Sequence, residues 1–139
     1  MSLSSIEVLP ILQRNINKIS HDILFIPEFE KDALVLKDKF ETLGHDLKVF
    51  IETGLKLYHV LNVDNEGIRI IKNLNKETGK IYEAFKFACR AVKGKGARSG
   101  IKVVYAHFEK EKRIELIEIY YQEDKEDPDQ ERLTKYYNL

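Results

Sequence analysis

The chain of 139 residues is 43% hydrophobic and 33% charged, a composition typical of one globular domain and not of a disordered chain. No apolar run approaches the ~18 residues of a membrane-spanning helix, and the first residues lack the basic start and apolar core of a secretory signal. The lone cysteine, Cys89, excludes an internal disulfide, and the four histidines have no metal-ligand spacing. We therefore expect a cytoplasmic protein with no metal, no other cofactor and no membrane partner.

The formal net charge is zero, but the charges are distributed unevenly along the chain. Residues 66–102 contain ten basic and three acidic residues. Residues 1–65 contain seven basic and ten acidic residues, and residues 103–139 contain six and ten. Such an asymmetry is the usual sequence signature of an anionic partner. A solvated charged face would give the same pattern, so charge alone leaves both interpretations open.

The chain has no internal repeat, no low-complexity tract and no linker rich in glycine, serine or proline. Residues 1–21 precede the first predicted strand and are interpreted as an N-terminal extension, which could add a short helix starting near Pro10. Residues 22–139 are interpreted as a single domain.

The N-terminal part of this domain predicts a strand followed by a helical hairpin. "DILFI" is short, apolar and followed by a proline, which indicates a strand over 22–26. Apolar residues then recur at spacings of three and four over 29–43, the stripe of an amphipathic helix, with Gly44 placed to stop it. The same spacing over 45–61 predicts a second helix.

The C-terminal part changes to a hydrophobic period of two, which is typical of strands. The predicted strands cover residues 67–74, 81–92, 101–108 and 114–121. In the second of these strands, Lys86 and Arg90 are predicted to point the same way. A short terminal helix is predicted over 130–137. Helices followed by strands, rather than alternating with them, predict the α+β class.

Two neighbouring segments carry a family resemblance: "GKGARSGIKVVYAHF" and "IELIEIYYQEDKED". They resemble the RelE/ParE superfamily of type II toxins, and within it the RelE- and HigB-like members. The resemblance covers roughly residues 22–135, and "FEKDALVLKDKF" is similar to the first helix of the family. The matching residues are Gly94, Lys95, Gly96, Arg98, Ser99, Gly100, Lys102, Val103, Val104, Tyr105, Ile117, Ile119, Tyr120, Asp124, Lys125 and Glu126.

This resemblance implies a fold and a function. The implied fold is a single α+β domain in which an N-terminal strand and a helical hairpin pack on a curved antiparallel sheet. The implied function is the toxin of a type II toxin–antitoxin system, an endoribonuclease that cleaves mRNA in the ribosomal A site and is inhibited by a cognate antitoxin. Two alternatives stay open: a ParE-like inhibitor of DNA gyrase without nuclease activity, and a non-catalytic member that binds RNA or the antitoxin.

The catalytic residues implied by the resemblance are four cations. Lys102 stands where the family usually has an arginine that acts on the scissile phosphate. Arg90 and Lys93 lie near the end of the preceding predicted strand, and Arg98 flanks the glycine-rich turn. Attack of the RNA 2′-oxygen builds negative charge on phosphorus, and cations placed around that phosphate stabilise the transition state.

Five further residues are predicted to bind substrate: Lys86, Lys95, Tyr120, Tyr121 and Lys125. The lysines would contact phosphates, and a tyrosine would stack on a base of single-stranded RNA. Tyr120 and Tyr121 point to opposite faces of their strand, so at most one of them can stack.

Four other residues are interpreted separately. Many relatives have a basic residue where this chain has Gln122. Tyr105 is expected in the core and Cys89 as a small buried hydrophobe. His107 is expected on the strand surface.

Overall fold

The computed structural model describes residues 21–64, 66–74 and 79–139. All of the expected N-terminal extension except His21 lies outside these ranges, as does the helix expected near Pro10. The described ranges contain three α-helices, one π-helical segment and a five-stranded sheet, which confirms the α+β class. No helix in the described ranges is long and apolar enough to cross a membrane.

The elements follow one another in the order strand, helices, strands, helix. They are β1 (Asp22–Phe25), α1 (Pro27–Lys39), α2 (Leu43–Val49), a π-helical segment (Phe50–Val60), β2 (Ile68–Asn73), β3 (Gly79–Ala84), β4 (Ile101–Phe108), β5 (Arg113–Tyr121) and α3 (Gln130–Tyr137). The predicted terminal helix and the predicted strand over 101–108 agree with α3 and β4 residue for residue.

The start of α1 follows from local chemistry. Pro27 occupies the first turn, where the N–H that it lacks would have no partner within the helix. Glu28 and Glu30 lie in the same turn, where the positive end of the helix dipole stabilises their negative charge. The expectation that Gly44 stops this helix is wrong. The helix ends at Lys39 because Phe40 adopts an extended backbone, and Gly44 lies inside α2.

The predicted second helix is present but changes its hydrogen bonding midway. It begins at Leu43 as α2 and continues from Phe50 to Val60 as a π-helix. Ile51 and Leu55 remain fully buried through this change. Hydrophobic spacing therefore predicted the helix, but it does not distinguish i→i−4 from i→i−5 bonding.

The sheet has the order β1-β5-β4-β3-β2. Strands β2 to β5 form an antiparallel meander, but β1 pairs with β5 in parallel, with Asp22 opposite Arg113. The N-terminal strand was expected to pack on an antiparallel sheet, but it joins the sheet as a parallel edge strand, so the sheet is mixed. No tight turn joins β1 to β5, so nothing in the local sequence sets the direction of β1.

The strand predicted over 81–92 is also shorter than expected. β3 ends at Ala84, and residues 85–100 form an irregular segment, here called the basic loop. Phe87 and Cys89 are nevertheless buried. Beyond the end of β3, side chains thus continue to alternate between buried and exposed. The hydrophobic period of two continues with them, which is why it predicted a strand longer than β3. Lys86 and Arg90 are consequently not side chains of a sheet face.

An ion pair between α1 and α3 covers the part of the β5 edge that does not pair with β1. The Asp32 carboxylate of α1 accepts from the backbone N–H of Ile119 at 3.3 Å, and Arg132 of α3 donates to the carbonyl of Ile117 at 2.9 Å. Arg132 and Asp32 bind each other at 2.6 Å. The two helices therefore satisfy the strand groups that β1 does not reach.

The two faces of the sheet have different environments. On one, here called the helix face, Tyr121 packs edge-on against Phe40 at 5.0 Å, and Tyr105 packs against His59 of the π-helical segment. The opposite face, here called the polar face, carries Glu83, Lys102, Glu118 and Tyr120. Tyr105 and Cys89 are buried as expected, whereas His107 is also buried and the surface prediction for it is wrong.

Candidate functional site

The basic loop carries five cations and no acidic residue. All five side chains are exposed: Lys86, Arg90, Lys93, Lys95 and Arg98. The loop therefore presents a positive surface to solvent without an acidic residue of its own to neutralise it.

The base of the basic loop is held firmly. The hydroxyl of Ser99 donates to the carbonyl of Phe87 at 2.5 Å and accepts from the N–H of Ile101 at 3.1 Å. Gly100 has φ +86°, and a Cβ there would lie 2.9 Å from the side chain of Gln122. The N–H of Gln122 donates to the Gly100 carbonyl at 2.8 Å. These contacts fix where the loop leaves the sheet.

Arg90 is oriented toward the helices. Its Nε lies 3.4 Å from a carboxylate oxygen of Asp46 in α2, and its backbone N–H donates to the same carboxylate at 3.1 Å. The neighbouring N–H of Ala91 donates to the hydroxyl of Thr42. Arg90 is thus held on the helix-face side of the sheet.

The polar face contains a carboxylate that is almost completely buried. Glu83 is 2% exposed and accepts from Arg69 at 2.5 Å and from the Tyr120 hydroxyl at 3.1 Å. The ammonium of Lys102 lies 3.9 Å away. A carboxylate at this depth requires such partners, because an unpaired buried charge is very costly.

A second buried carboxylate lies across the same rung of the sheet. Glu83 and Glu118 both pair with Val104, from opposite sides. Glu118 is 3% exposed, and its oxygens bind the ammonium of Lys125 at 2.5 Å and the backbone N–H of Asp129 at 2.8 Å. The polar cluster comprises these two carboxylates with Arg69, Lys102, Tyr120 and Lys125.

The two tyrosines predicted to stack on RNA bases are both engaged within the protein. Tyr120 is 4% exposed, and the ammonium of Lys125 lies 5.2 Å from its ring centroid. Burial, the charge of Glu83 and the hydrogen bond to it raise the pKa of Tyr120, so its phenol stays protonated. Tyr121 packs against Phe40, with the ammonium of Lys39 4.6 Å from its ring centroid.

The structure groups some of the predicted site residues and separates others. Lys102, Tyr120 and Lys125 meet on the polar face, whereas Lys86, Lys93, Lys95 and Arg98 lie exposed on the basic loop. Arg90 and Lys102 have carboxylate partners on opposite sides of the sheet. The expectation that these two cations surround one phosphate is therefore not met. Lys102 is also only 17% exposed, so it lies largely within the polar cluster.

Three members of the polar cluster were not predicted: Arg69, Glu83 and Glu118. Each glutamate interrupts an apolar strand sequence, "IYEAF" or "LIEIY", and such an interruption was the available signal. The extended strand prediction treated Phe85, not Glu83, as the next residue on the face of Ile81. The two carboxylates were consequently overlooked.

Arg69 is the most exposed member of the polar cluster. Arg69 is 54% exposed and its guanidinium lies 4.8 Å from the ring centroid of Phe85, the first residue of the basic loop. Glu83 and Lys102 each stand two residues from an end of that loop. A phosphate bound by the loop would therefore approach the cluster from the Arg69 side. There, cations can offset charge on phosphorus and a carboxylate can accept a proton.

Three histidines, here called the histidine cluster, lie together on the helix face: His21, His59 and His107. The Nε2 atoms of His21 and His107 are 3.2 Å apart, His59 lies 4.1 Å from His107 between ring centroids, and His59 shares a 2.7 Å hydrogen bond with Tyr105. Burial, with charge repulsion between the rings, lowers the pKa of His59 to about 3 and that of His107 to about 4. These histidines are therefore neutral near pH 7. Within the described ranges, no three His, Cys, Asp or Glu side chains are arranged to hold a metal ion.

No protein-family model, curated protein or solved structure matches this chain. Functional inference therefore depends on the residues and on their geometry.

Proposed function

We propose that this chain is the toxin of a type II toxin–antitoxin pair of the RelE/HigB-like kind, a ribosome-dependent endoribonuclease that cleaves mRNA in the cytoplasm. The observation that carries this proposal is the basic loop, with five exposed cations, no acid, and both ends leading into the polar cluster. The motif resemblance over 94–126 supports the same proposal.

The polar cluster contains the groups that RNA cleavage requires. In this proposal the 2′-oxygen attacks phosphorus and the bond to the 5′-oxygen breaks. Glu83 accepts the proton of the 2′-hydroxyl, and the ammonium of Lys102 donates a proton to the departing 5′-oxygen. Arg69 and Lys102 offset the charge that develops on the phosphate. Tyr120, which stays protonated, orients Glu83 through its 3.1 Å hydrogen bond.

The basic loop would hold the RNA backbone. Lys93, Lys95 and Arg98 extend from a segment whose glycines adopt positive φ, 77° at Gly94 and 55° at Gly96. Such backbone places cations around a turn instead of along a line, which suits a bent single strand. The proposed partner that inhibits the toxin is a cognate antitoxin.

The burial of the polar cluster favours a second candidate. Glu83 and Tyr120 are almost inaccessible, so catalysis would require part of the fold to move. A non-catalytic member that binds RNA or an antitoxin through the basic loop would not require such a movement. A gyrase inhibitor is the remaining alternative, and the experiment below separates all three.

The test is induction of the protein in a bacterium, followed by mapping of mRNA 5′ ends. The variants are Lys102→Met, the triple variant Lys93→Ala/Lys95→Ala/Arg98→Ala, and a matched control on the helices, Lys31→Ala/Lys37→Ala/Lys48→Ala. Growth arrest with ribosome-phased cuts that both site variants lose and the control retains supports the nuclease. Arrest without cuts but with a DNA-damage response indicates gyrase, and the absence of arrest contradicts both toxin functions.

Binding of a single-stranded RNA oligonucleotide tests the loop directly. Each lost phosphate contact reduces the slope of log affinity against log salt by about 0.7 for a single strand, so the loop triple variant should lose about 2 units of slope. The helix control should keep the wild-type slope. RNA binding by the loop without cleavage by any variant would favour the non-catalytic candidate.

A further inference from the structure

The chain folds back over the polar face immediately after β5. The segment that does so is residues 122–129, here called the connector, between β5 and α3. The N–H groups of Asp124 and Lys125 both donate to the carbonyl of Tyr121, at 2.9 Å and 3.3 Å. This tight turn reverses the chain, and the connector then passes over the side chains of Glu118 and Tyr120.

One buried carboxylate holds the connector at two points. Oε2 of Glu118 binds the ammonium of Lys125 in the middle of the connector, and Oε1 accepts from the N–H of Asp129 at its end. Asp129 is also the N-cap of α3, since its side chain accepts from the N–H of Arg132. Glu118 therefore fixes both the path of the connector and the start of the following helix.

The connector covers the aromatic member of the polar cluster. The Lys125 ammonium lies 5.2 Å from the ring centroid of Tyr120, and the Tyr120 hydroxyl donates to Glu83. With the connector in this position, a nucleotide base cannot stack on Tyr120, because this residue is only 4% exposed.

The connector also repels anions. It carries five acidic residues and one lysine, and Gln122 at its start contacts Gly100 at the base of the basic loop. Strong negative charge thus begins where the proposed RNA surface ends. RNA approaching the polar cluster would meet both a covered ring and an unfavourable potential.

We propose that the connector is an autoinhibitory strap, latched by Glu118, that must leave the polar face before RNA reaches Tyr120 and the ammonium of Lys125. This inference rests on the proposed function, since it assumes that the cluster acts on RNA. Opening breaks the ion pair between Lys125 and Glu118, the hydrogen bond from the Asp129 N–H to Glu118 and the contact of the Lys125 ammonium with the Tyr120 ring. It releases Lys125, which can then bind a phosphate. The basic loop stays accessible throughout, so initial capture of RNA does not require opening.

Charge removal from exposed residues tests the strap without disturbing the core. The strap variant is Asp124→Asn/Glu126→Gln/Asp127→Asn. The charge-matched control is Asp22→Asn/Glu109→Gln/Glu111→Gln, at the opposite end of β4, roughly 24 Å away at ~3.4 Å per residue. At ~0.15 M salt the control charges are screened over about 8 Å, so only the strap variant should bind a fluorescent oligouridylate more tightly, by about tenfold.

Hydrogen exchange tests the latch in the absence of RNA. Lys125→Met keeps the aliphatic stem but removes the ion pair, and it should accelerate exchange of the Asp129 amide by about tenfold relative to the wild type. The control, Lys135→Met, removes the 3.0 Å ion pair to Glu28 that joins α3 to α1. It should leave the Asp129 amide unchanged.

The outcomes of the two arms are distinguishable. Faster exchange in Lys125→Met, together with tighter RNA binding by the strap variant alone, supports the strap. Unchanged exchange, or equal gains in affinity for the strap variant and its control, overturns it even if the protein is a nuclease. Failure of every variant to bind RNA overturns the proposed function and the regulatory role with it, while the exchange arm still reports whether the latch exists.

Discussion

Lys102 and Glu83 lie diagonally on neighbouring strands, with the ammonium 3.9 Å from the carboxylate. Each stands two residues from an end of the basic loop, Glu83 before it and Lys102 after it. The loop is therefore closed at its base by an ion pair between the two strands that it connects. This relationship joins the exposed cationic surface to the buried polar cluster.

The first prediction concerns Glu83. Glu83→Gln should lower the free energy of unfolding by about 1–3 kcal/mol, because Lys102 and Arg69 lose a charged acceptor while the amide introduces donors at a buried site. The measurement is urea denaturation. Glu109→Gln, at an exposed turn, is the control, and an equal loss in both variants would contradict the role assigned to Glu83.

The second prediction concerns the glycine at the base of the loop. Gly100→Ala should cost about 1–3 kcal/mol, because the residue has φ +86° and its new Cβ would meet Gln122. Gly94→Ala should cost less, since φ is +77° there but no atom lies within 4 Å of the added Cβ. Thermal unfolding of both variants decides the point, and a greater loss for Gly94→Ala would refute the contact argument.

The third prediction concerns the edge of β5. Arg132→Ala should reduce stability by about 2–4 kcal/mol, because it leaves the carboxylate of Asp32 without its cation and the carbonyl of Ile117 without its donor. Burial raises the pKa of Asp32, and the hydrogen bonds from Arg132 oppose that rise. A double-mutant cycle with Asp32→Ala should give a coupling energy of about 1–3 kcal/mol.

A more exposed pair provides the control for that cycle. Lys135 and Glu28 also join α3 to α1, at 3.0 Å, but solvent screens their attraction. Lys135→Ala should therefore be milder than Arg132→Ala. Additive losses in the Arg132–Asp32 cycle would show that the edge is not held by this pair.

The fourth prediction concerns pH. His59 and His107 have pKa values of about 3 and about 4 in the fold, against 6.5 for ordinary histidine. Between pH 6.5 and these values the unfolded chain binds more protons than the folded one, so stability is complete above about pH 6.5 and falls as the pH decreases. Burial is the main cause, and Lys80 adds to the lowering at His107 while Glu109 opposes it.

The measurement is the urea midpoint between about pH 7 and about pH 5, a window above the ordinary titration of most carboxylates. His107→Gln should flatten this dependence by removing one of the buried imidazoles. His45→Gln, on the exposed side of α2, is the matched control. A pH dependence that is the same in both variants would show that the histidine cluster does not produce it.

Much of the architecture was predictable because it is local. The β-branched run of β4 and the N-terminal polar residues of α3 specify those elements through contacts within a few residues. The positive φ of Gly94, Gly96 and Gly100 agrees with the turn that their sequence predicts. The exposed cations of the basic loop follow from the same local chemistry.

The polar cluster was less predictable because it is assembled from distant strands. Three of its strands contribute one unpredicted charged residue each: Arg69 from β2, Glu83 from β3 and Glu118 from β5. Local sequence does not distinguish these three from solvent-exposed charged residues of a strand. Their burial depends on which strands are neighbours and on what covers that face. The spacing of hydrophobic residues along the chain shows neither which strands are neighbours nor what covers a face of the sheet.

The α+β class, the four C-terminal strands and the cation-rich glycine turn follow from the sequence, because periodicity and turn chemistry act between near neighbours. The parallel pairing of β1 with β5, the contact that holds Arg90 at Asp46 away from Lys102, and the return of the connector onto Glu118 became apparent only in the folded chain. The first two features depend on contacts between segments far apart in the chain, and the third depends on the burial of Glu118 in the sheet. Their energies come from burial and charge pairing that exist only once the sheet has formed.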